Sequence, residues 1–180
     1  MLPRNEPKAG KRMRLEPPET RPVVILRDPI PGDLGWVIHR QAVIYTSEYG
    51  WDNSFEALVA DIAARFIREF DPTRERCWIA ERDGAVIGSI FLVHDTDETA
   101  KLRMLYVDAE ARGLGVGRTL VTACIDHARA CCYRRLRLWT FDILTAAARI
   151  YQQAGFQLIE ETPEHSFGHD LTAQIWELAL

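Results

Sequence analysis

The spacing of apolar residues divides the chain into helical and extended stretches. Apolar residues three and four positions apart predict helices from Pro31 to the break at Gly50, from Asn53 to about Phe70, from near Val116, and from Leu144 to Ala154. Short apolar runs predict strands at 23–28, 77–82, 85–93, 101–107, 136–141, 156–161 and 171–180. The resulting order is one strand, two helices, three strands, a helix, a strand, a helix and two strands. This order predicts an α/β domain in which a mixed sheet carries helices on both faces.

Residues 1–22 differ from the rest of the chain. They are rich in proline and charge and have no apolar periodicity, which predicts a disordered tail before a single domain at 23–180. The net charge of -4 gives no general attraction to nucleic acid or to an anionic membrane. The N-terminus does not resemble a signal peptide, and no apolar run is long enough to span a bilayer. We therefore expect a cytoplasmic protein that binds neither nucleic acid nor membrane.

The cysteines predict neither a metal site nor a disulfide. Cys77, Cys124, Cys131 and Cys132 contain no C-x-x-C pair and show no metal-ligand spacing with histidine. Cys124 on the apolar face of a predicted helix, and Cys77 in a predicted strand, are expected to be small buried thiols. We expect no bound metal.

The sequence RGLGVGR at 112–118 is the strongest chemical signal in the chain. It joins a predicted strand to a predicted helix, where unpaired N–H groups and the positive end of the helix dipole attract anions. Its glycines let a phosphate approach the backbone, and Arg112 and Arg118 add charge that pairs with phosphate oxygens. The Walker lysine–hydroxyl pair and the G-x-G-x-x-G dinucleotide fingerprint are both absent. The segment predicts a phosphate or pyrophosphate site, with a ligand-free tight turn as the alternative.

Two segments carry a family resemblance. The stretch LRMLYVDAEARGLGVGRTLV resembles the strand–turn–helix signature of the GNAT superfamily of acyl-CoA N-acyltransferases, whose core motif [QR]-x-x-G-x-[GA] is matched by Arg112, Gly115 and Gly117. The downstream stretch ARIYQQAGF at 148–156 resembles the second signature, a helix carrying Y-x-x-x-G-F. The resemblance covers roughly residues 23–180.

A narrower resemblance concerns the segments PGDLGWVIHR, ERCWIAERDG and SFGHDLTAQIWEL. These are similar to the acetyltransferase half of MarR-type regulator–acetyltransferase fusions. The 22 polar residues before the predicted domain are too few for the winged helix-turn-helix of the DNA-binding half.

The GNAT resemblance implies a mostly antiparallel seven-stranded sheet that splays between its fourth and fifth strands. Acetyl-CoA is then the acyl donor, with its pantetheine paired to the fourth strand and its pyrophosphate on the glycine-rich turn. The resemblance assigns cofactor binding to Leu105, Tyr106, Val107, Arg112, Gly113, Leu114, Gly115, Val116, Gly117 and Arg118. The acceptor amine attacks the thioester directly in a ternary complex, and Tyr151 protonates the departing thiolate. Packing between helix and sheet is the alternative explanation for Tyr151.

Two positions depart from the family pattern. Many relatives carry an asparagine seven residues before the tyrosine, where this chain has Leu144. Many relatives also carry a glutamate on the fourth strand as general base, but here the nearby polar residues are Lys101 and Arg103. The base therefore stays open between a water chain and the side chains of Glu98, His165 and His169.

The acceptor site has seven candidate residues, which are Tyr45, Tyr49, Trp51, Lys101, Arg103, His165 and His169. The aromatics belong to the region between the first two helices, which walls the acceptor cleft in relatives, and the lysine or the arginine could hold a substrate carboxylate. Core packing, ion pairs and loop capping are the structural alternatives for the same residues.

These observations predict an N-acetyltransferase that acetylates the primary amine of a small molecule, such as an amino acid or an analogue. A peptide or protein N-acetyltransferase and a non-catalytic acyl-CoA-binding module are the alternatives. The sequence leaves the oligomeric state open, with a homodimer as one option.

Overall fold

The computed structural model describes residues 23–180, so the tail predicted at 1–22 lies outside the described residues. The described part of the chain forms β1 (Val24–Arg27), α1 (Asp33–Tyr49), α2 (Asn53–Glu69), β2 (Arg76–Arg82), β3 (Ala85–His94), β4 (Thr99–Val107), α3 (Val116–Ala130), β5 (Arg135–Phe141), α4 (Thr145–Gln153), β6 (Gln157–Ser166) and β7 (His169–Ala179). A short 3-10 turn at Ala109–Ala111 precedes α3. The predicted order of helices and strands is confirmed. None of the helices described between residues 23 and 180 is long and apolar enough to cross a membrane.

One sheet holds all seven described strands in the order β1-β2-β3-β4-β5-β7-β6. Neighbouring strands are antiparallel except β4 and β5, which pair in parallel only from Thr99↔Arg135 to Lys101↔Arg137. Beyond Lys101 the two strands have no further paired residues. The predicted mixed, mostly antiparallel sheet with a splay between its fourth and fifth strands is confirmed.

Helices cover both faces of the sheet, as predicted. On one face, Leu120 and Cys124 of α3 pack in a buried cluster with Ile90 and Leu136. On the other face, Val37 of α1 and Phe66 of α2 pack in a cluster with Ile79 and Phe91. Each such apolar side chain stabilises the fold by about 1.5–3 kcal/mol when it is fully removed from water.

The C-terminal hairpin is longer than the apolar pattern predicts. The segment EHSFGHD is the end of a β-hairpin rather than a connection outside the strands, because β6 reaches Ser166 and β7 begins at His169. Phe167 and Gly168 both have positive φ, at 56° and 79°, which is the geometry of a two-residue type I′ turn. The edge strand β6 is mostly exposed, so it carries no buried alternation from which its length could be read.

Candidate active site

A cavity of about 90 Å³ opens where β4 and β5 diverge. Its walls come from α1, the corner after α1, α2, β4, β5 and α4, so both faces of the sheet contribute to it. The cavity brings together five residues that the sequence assigns to the site, namely Tyr45, Trp51, Arg103, Leu105 and Tyr151. It also includes residues that sequence reasoning did not select, among them Gln41, Met104, Trp139, Thr140 and Phe141.

Tyr151 lies on α4 and is only 5% exposed. Its hydroxyl forms no side-chain hydrogen bond with any described residue, although the ring lines the cavity. Burial, reinforced by the neighbouring Tyr45 phenol, raises the pKa of Tyr151 above its ordinary value. The phenol therefore stays protonated at neutral pH and has a proton available to donate.

The end of α4 explains why the tyrosine, the glycine and the phenylalanine of the second signature have fixed spacing. The Gly155 N–H donates to the Gln152 carbonyl at 3.0 Å and the Phe156 N–H donates to the Tyr151 carbonyl at 3.0 Å. These are the two bonds of a Schellman motif, and it requires the positive φ of 96° that Gly155 adopts. The Phe156 ring packs 5.8 Å from the Tyr151 ring, so this helix end fixes the position of the tyrosine.

Leu144 is the N-cap residue of α4 and also lines the cavity. Its side chain makes no capping hydrogen bond. The asparagine that the GNAT resemblance leads us to expect here would be a preferred N-cap residue, because its side-chain oxygen accepts a helix N–H. Leu144 instead places an apolar side chain in the cavity wall.

The strand β4 contains a β-bulge beside the cavity. Phe91 pairs with Arg103 and Ser89 pairs with Tyr106, so Met104 and Leu105 together oppose a single residue of β3. Met104 has a φ of 54°, and the buried Ser89 hydroxyl donates to the Met104 carbonyl at 3.2 Å. The edge of β4 that faces β5 is unpaired after Lys101. It therefore has backbone N–H and C=O groups free to pair with an extended ligand.

The glycine-rich turn presents a series of free N–H groups. The backbone N–H groups of Gly115, Val116, Gly117 and Arg118 find no backbone acceptor within the described residues. Gly115 caps α3 with a φ of 81°, a conformation that an L side chain strains. These groups lie at the positive end of the helix dipole and form a site for a phosphate or another anion.

Three residues of the glycine-rich turn, Arg112, Gly117 and Arg118, also contact neighbouring helices. Arg112 forms an ion pair with Glu48 of α1 at 2.8 Å. Arg118 donates to the Gln153 side chain at 3.3 Å. A Cβ on Gly117 would lie 2.8 Å from the Ile150 side chain, so this glycine permits α3 and α4 to pack closely. Its packing role adds to the phosphate approach that the sequence suggests.

Lys101 and Arg103 differ in their surroundings although they are two residues apart on β4. The Lys101 ammonium lies 2.6 Å from the Asp95 carboxylate and is outside the cavity wall. Arg103 lines the cavity and has no ion-pair or side-chain hydrogen-bond partner among the described residues. Burial lowers the pKa of Arg103 below its ordinary value, and a guanidinium nevertheless stays charged at neutral pH.

The predicted acceptor residues near the C-terminal hairpin lie outside the cavity wall. The His165 ring pairs with Asp170 at 2.7 Å on the surface, and the His169 Nε2–H donates to the Gly50 carbonyl at 3.0 Å. Tyr49 packs against Tyr45 and Trp51, which do line the cavity, and so it supports the wall from behind.

No aspartate, glutamate, histidine or lysine belongs to the described lining of the cavity. Glu98, a candidate base from the sequence, pairs with Arg134 and Arg135 instead. No group of three or more His, Cys, Asp or Glu side chains in residues 23–180 could hold a metal ion. Cys77 and Cys124 are buried free thiols, as predicted.

The chain is similar to known acetyltransferases over most of the described residues. Residues 41–156 match the sequence model of the acetyltransferase (GNAT) family. A mycothiol acetyltransferase from Cellulomonas flavigena is 31% identical over 153 residues, which are 77% of this chain and 42% of the relative. An N-acetylaspartate synthetase from Danio rerio is 30% identical over 109 residues, which are 60% of this chain and 38% of the relative. The chain thus spans about two fifths of the length of these two relatives.

Solved structures share the fold. A GCN5-related N-acetyltransferase from Kribbella flavida has a TM-score of 0.71 at 24% identity, covering 87% of this chain and 98% of that one. A Salmonella typhimurium protein, described as a candidate acetyltransferase and solved with its cofactor acetyl-CoA, has a TM-score of 0.67 at 22% identity. That likeness covers 87% of this chain and 94% of the other.

Proposed function

The chain belongs to the acetyltransferase (GNAT) family, and from this premise we propose that it transfers an acetyl group from acetyl-CoA to the primary amine of a small molecule, such as an amino acid or an analogue. One observation carries the proposal. The buried Tyr151, whose hydroxyl has no side-chain partner among the described residues, and Leu105 on the unpaired edge of β4 line the same cavity at the splay. This arrangement supports a site in which a proton donor and a binding edge for an extended ligand face one cavity.

Acetyl-CoA supplies the activated acetyl thioester. In the proposed complex the free N–H groups from Gly115 to Arg118 hold the pyrophosphate at the start of α3. The open β4 edge from Leu105 to Val107 hydrogen-bonds the pantetheine as an added strand would. A backbone N–H near Val107 polarises the thioester carbonyl, as such donors do when they are aimed at a developing oxyanion.

The acceptor amine attacks the carbonyl directly, and Tyr151 donates its phenolic proton to the departing thiolate. The raised pKa of this buried phenol keeps the proton on Tyr151 until it is needed. Among the described residues the cavity wall contains no carboxylate or imidazole, so in this proposal a water chain carries the amine proton to solvent. Much of the expected rate enhancement then comes from holding the two substrates in contact.

The small volume of the cavity, about 90 Å³, and the aromatic side chains of Tyr45, Trp51, Phe55 and Phe141 in its lining favour a small acceptor over a peptide or protein. The unpaired Tyr151 hydroxyl favours catalysis over simple acyl-CoA binding. Two of the relatives are an N-acetylaspartate synthetase and a mycothiol acetyltransferase, and both activities fit a small-molecule acceptor. The resemblance to the acetyltransferase half of MarR-type fusions and a cytoplasmic location are part of the same proposal.

A panel of amines incubated with acetyl-CoA, with free thiol as the readout, tests the function. The panel includes amino acids, aliphatic and aromatic amines, polyamines and lysine peptides. We expect saturable thiol release with at least one small amine and none above background with the peptides. Tight acetyl-CoA binding without transfer to any amine would instead identify a binding module.

A further inference from the structure

The charge of the cavity wall restricts the acceptor. Arg103 is the one charged residue among the described residues that line the cavity. The other side chains there are apolar, aromatic or neutral polar. The wall therefore presents a single positive charge on an apolar background.

The guanidinium of Arg103 differs from other partly buried arginines in the described chain. Arg27 pairs with Asp33 at 2.5 Å, and Arg40 pairs with Asp108 at 2.7 Å. Arg103 has no carboxylate within ion-pair distance in the described chain, because the nearby Asp95 is held by Lys101. A partly buried cation without a partner is unfavourable, so an anion entering the cavity would be stabilised there.

A second unused donor lies in the same wall. Trp51 is 2% exposed, and its indole Nε1–H has no hydrogen-bond partner among the described residues. Leaving such a donor unsatisfied costs about 1–3 kcal/mol. The Tyr45 ring packs against Trp51, with the ring centroids 4.9 Å apart and the ring planes tilted by 32°, and it adds aromatic surface to the same wall.

We propose that Arg103 binds a carboxylate of the acceptor, so that the acceptor is an amine bearing an anionic group and an apolar body. This inference rests on the proposed function and names its substrate class. A planar guanidinium binds a carboxylate through two parallel hydrogen bonds, which orients the acceptor as well as attracting it. A polyamine would bring a second positive charge close to Arg103, and the described wall has no carboxylate that could pair with that charge. Polyamines are therefore expected to be poor acceptors.

Rates of acetyl transfer to matched pairs of acceptors test the inference. The pairs are L-phenylalanine with phenethylamine and L-leucine with 3-methylbutylamine, so that the members of each pair differ only in the carboxylate. We expect kcat/KM to favour the amino acid over its decarboxylated amine by about 10- to 100-fold, the usual value of a charged hydrogen bond. In Arg103→Gln the ratio of kcat/KM for the amino acid to kcat/KM for the amine should fall to near one, because KM for the acids rises. The ratio in Arg103→Lys should lie between those of the wild type and Arg103→Gln.

Arg129→Gln is the matched control. Arg129 lies on α3, pairs with Asp126 at 3.8 Å and is outside the cavity wall, so its loss changes the net charge by the same amount without removing the proposed contact. This variant should keep the wild-type preference for acids. Equal losses for acids and amines in Arg103→Gln, or a wild type that prefers the decarboxylated amines, would overturn the inference while leaving acetyl transfer intact.

Binding of reaction products tests the same inference without turnover. With CoA present, N-acetyl-L-phenylalanine and N-acetyl-L-leucine should quench tryptophan fluorescence, because Trp51 and Trp139 line the cavity. Arg103→Gln should weaken their binding about 10- to 100-fold and leave the binding of N-phenethylacetamide unchanged. If the acids bind with this dependence but no amine is acetylated, the proposed function fails and the carboxylate site stands. If the acids bind no better than the amide, the carboxylate site is wrong.

Discussion

Replacing Tyr151 with phenylalanine removes one oxygen atom from the cavity and keeps the ring that packs against Phe156. Because the hydroxyl has no partner among the described side chains, its removal leaves no other group unsatisfied, and the free energy of unfolding should change by less than about 1 kcal/mol. A general acid contributes about 100- to 10,000-fold to a rate, equivalent to about 2.7–5.5 kcal/mol. The expected result is therefore a large loss of kcat in a stable protein.

Rapid-quench measurement of one turnover, with acetyl-CoA prebound and the acceptor saturating, isolates the chemical step. Tyr45→Phe is the matched control, because it also removes a phenol hydroxyl from the cavity wall. It should change KM for the acceptor more than kcat. Full single-turnover activity in Tyr151→Phe, or an equal loss in Tyr45→Phe, would show that Tyr151 only packs.

The pH profile gives a second check on the same residue. Burial raises the pKa of Tyr151, so the proton-donating form persists at every pH below its ordinary value of about 10. Wild-type kcat should therefore show no decline from ionisation of this phenol up to about pH 10. A decline with a midpoint near pH 8 that disappears in Tyr151→Phe would contradict the assignment of a raised pKa.

The remaining predictions concern the cofactor turn, the end of α4 and DNA. CoA at 100 times its Kd should stabilise the fold by about 2.7 kcal/mol and raise the Tm in a thermal melt. The Gly115→Val variant should lose this increase in Tm. The control variant Gly84→Val should keep it, because Gly84 has a similar φ of 79° but lies in the β2–β3 turn. Gly155→Ala forces a side chain to a φ of 96° and should lower the urea-derived free energy of unfolding by about 1–2 kcal/mol, and no loss would refute the role of the Schellman motif. The acidic chain should give no sequence-dependent gel shift with DNA at physiological salt, and a shift that resists salt would contradict this.

The helices could be predicted from the sequence because each buries one regular face, and inner strands such as β3 because they are continuous apolar runs buried on both faces of the sheet. In α2, for example, Phe55, Val59, Ala63 and Phe66 are buried at helical spacing. The extent of β6 could not be predicted in this way. Its residues are exposed at the edge of the sheet, so burial imposes no alternation, and the Phe167–Gly168 turn carries none of the common Asn-Gly or Asp-Gly signals.

The candidate site was only partly predictable for a different reason. The sequence pointed to the glycine-rich turn through the chemistry of a helix start and to Tyr151 through the GNAT resemblance, and the roles of both stay predictions. The sequence could not separate Lys101 from Arg103, since both are cations on one strand. They differ because the Asp95 carboxylate forms an ion pair with Lys101 and not with Arg103. The bulge at Met104 could not be predicted from the sequence either, because no glycine or proline marks its position.

The splay itself links the fold to the proposed chemistry. Three residues of β4, Thr99 to Lys101, pair with β5, and the bulge at Met104 and Leu105 then bends β4 within the centre of the sheet. An unpaired strand edge inside a domain leaves backbone groups without partners, which is costly unless water or a ligand satisfies them. The cavity that admits such a ligand contains Arg103 just before the bulge and Tyr151 across the splay. The early end of the β4–β5 pairing thus leaves the proposed binding edge open, and the bulge that follows lies in the wall of the cavity in which the proposed acidic acceptor would meet Tyr151.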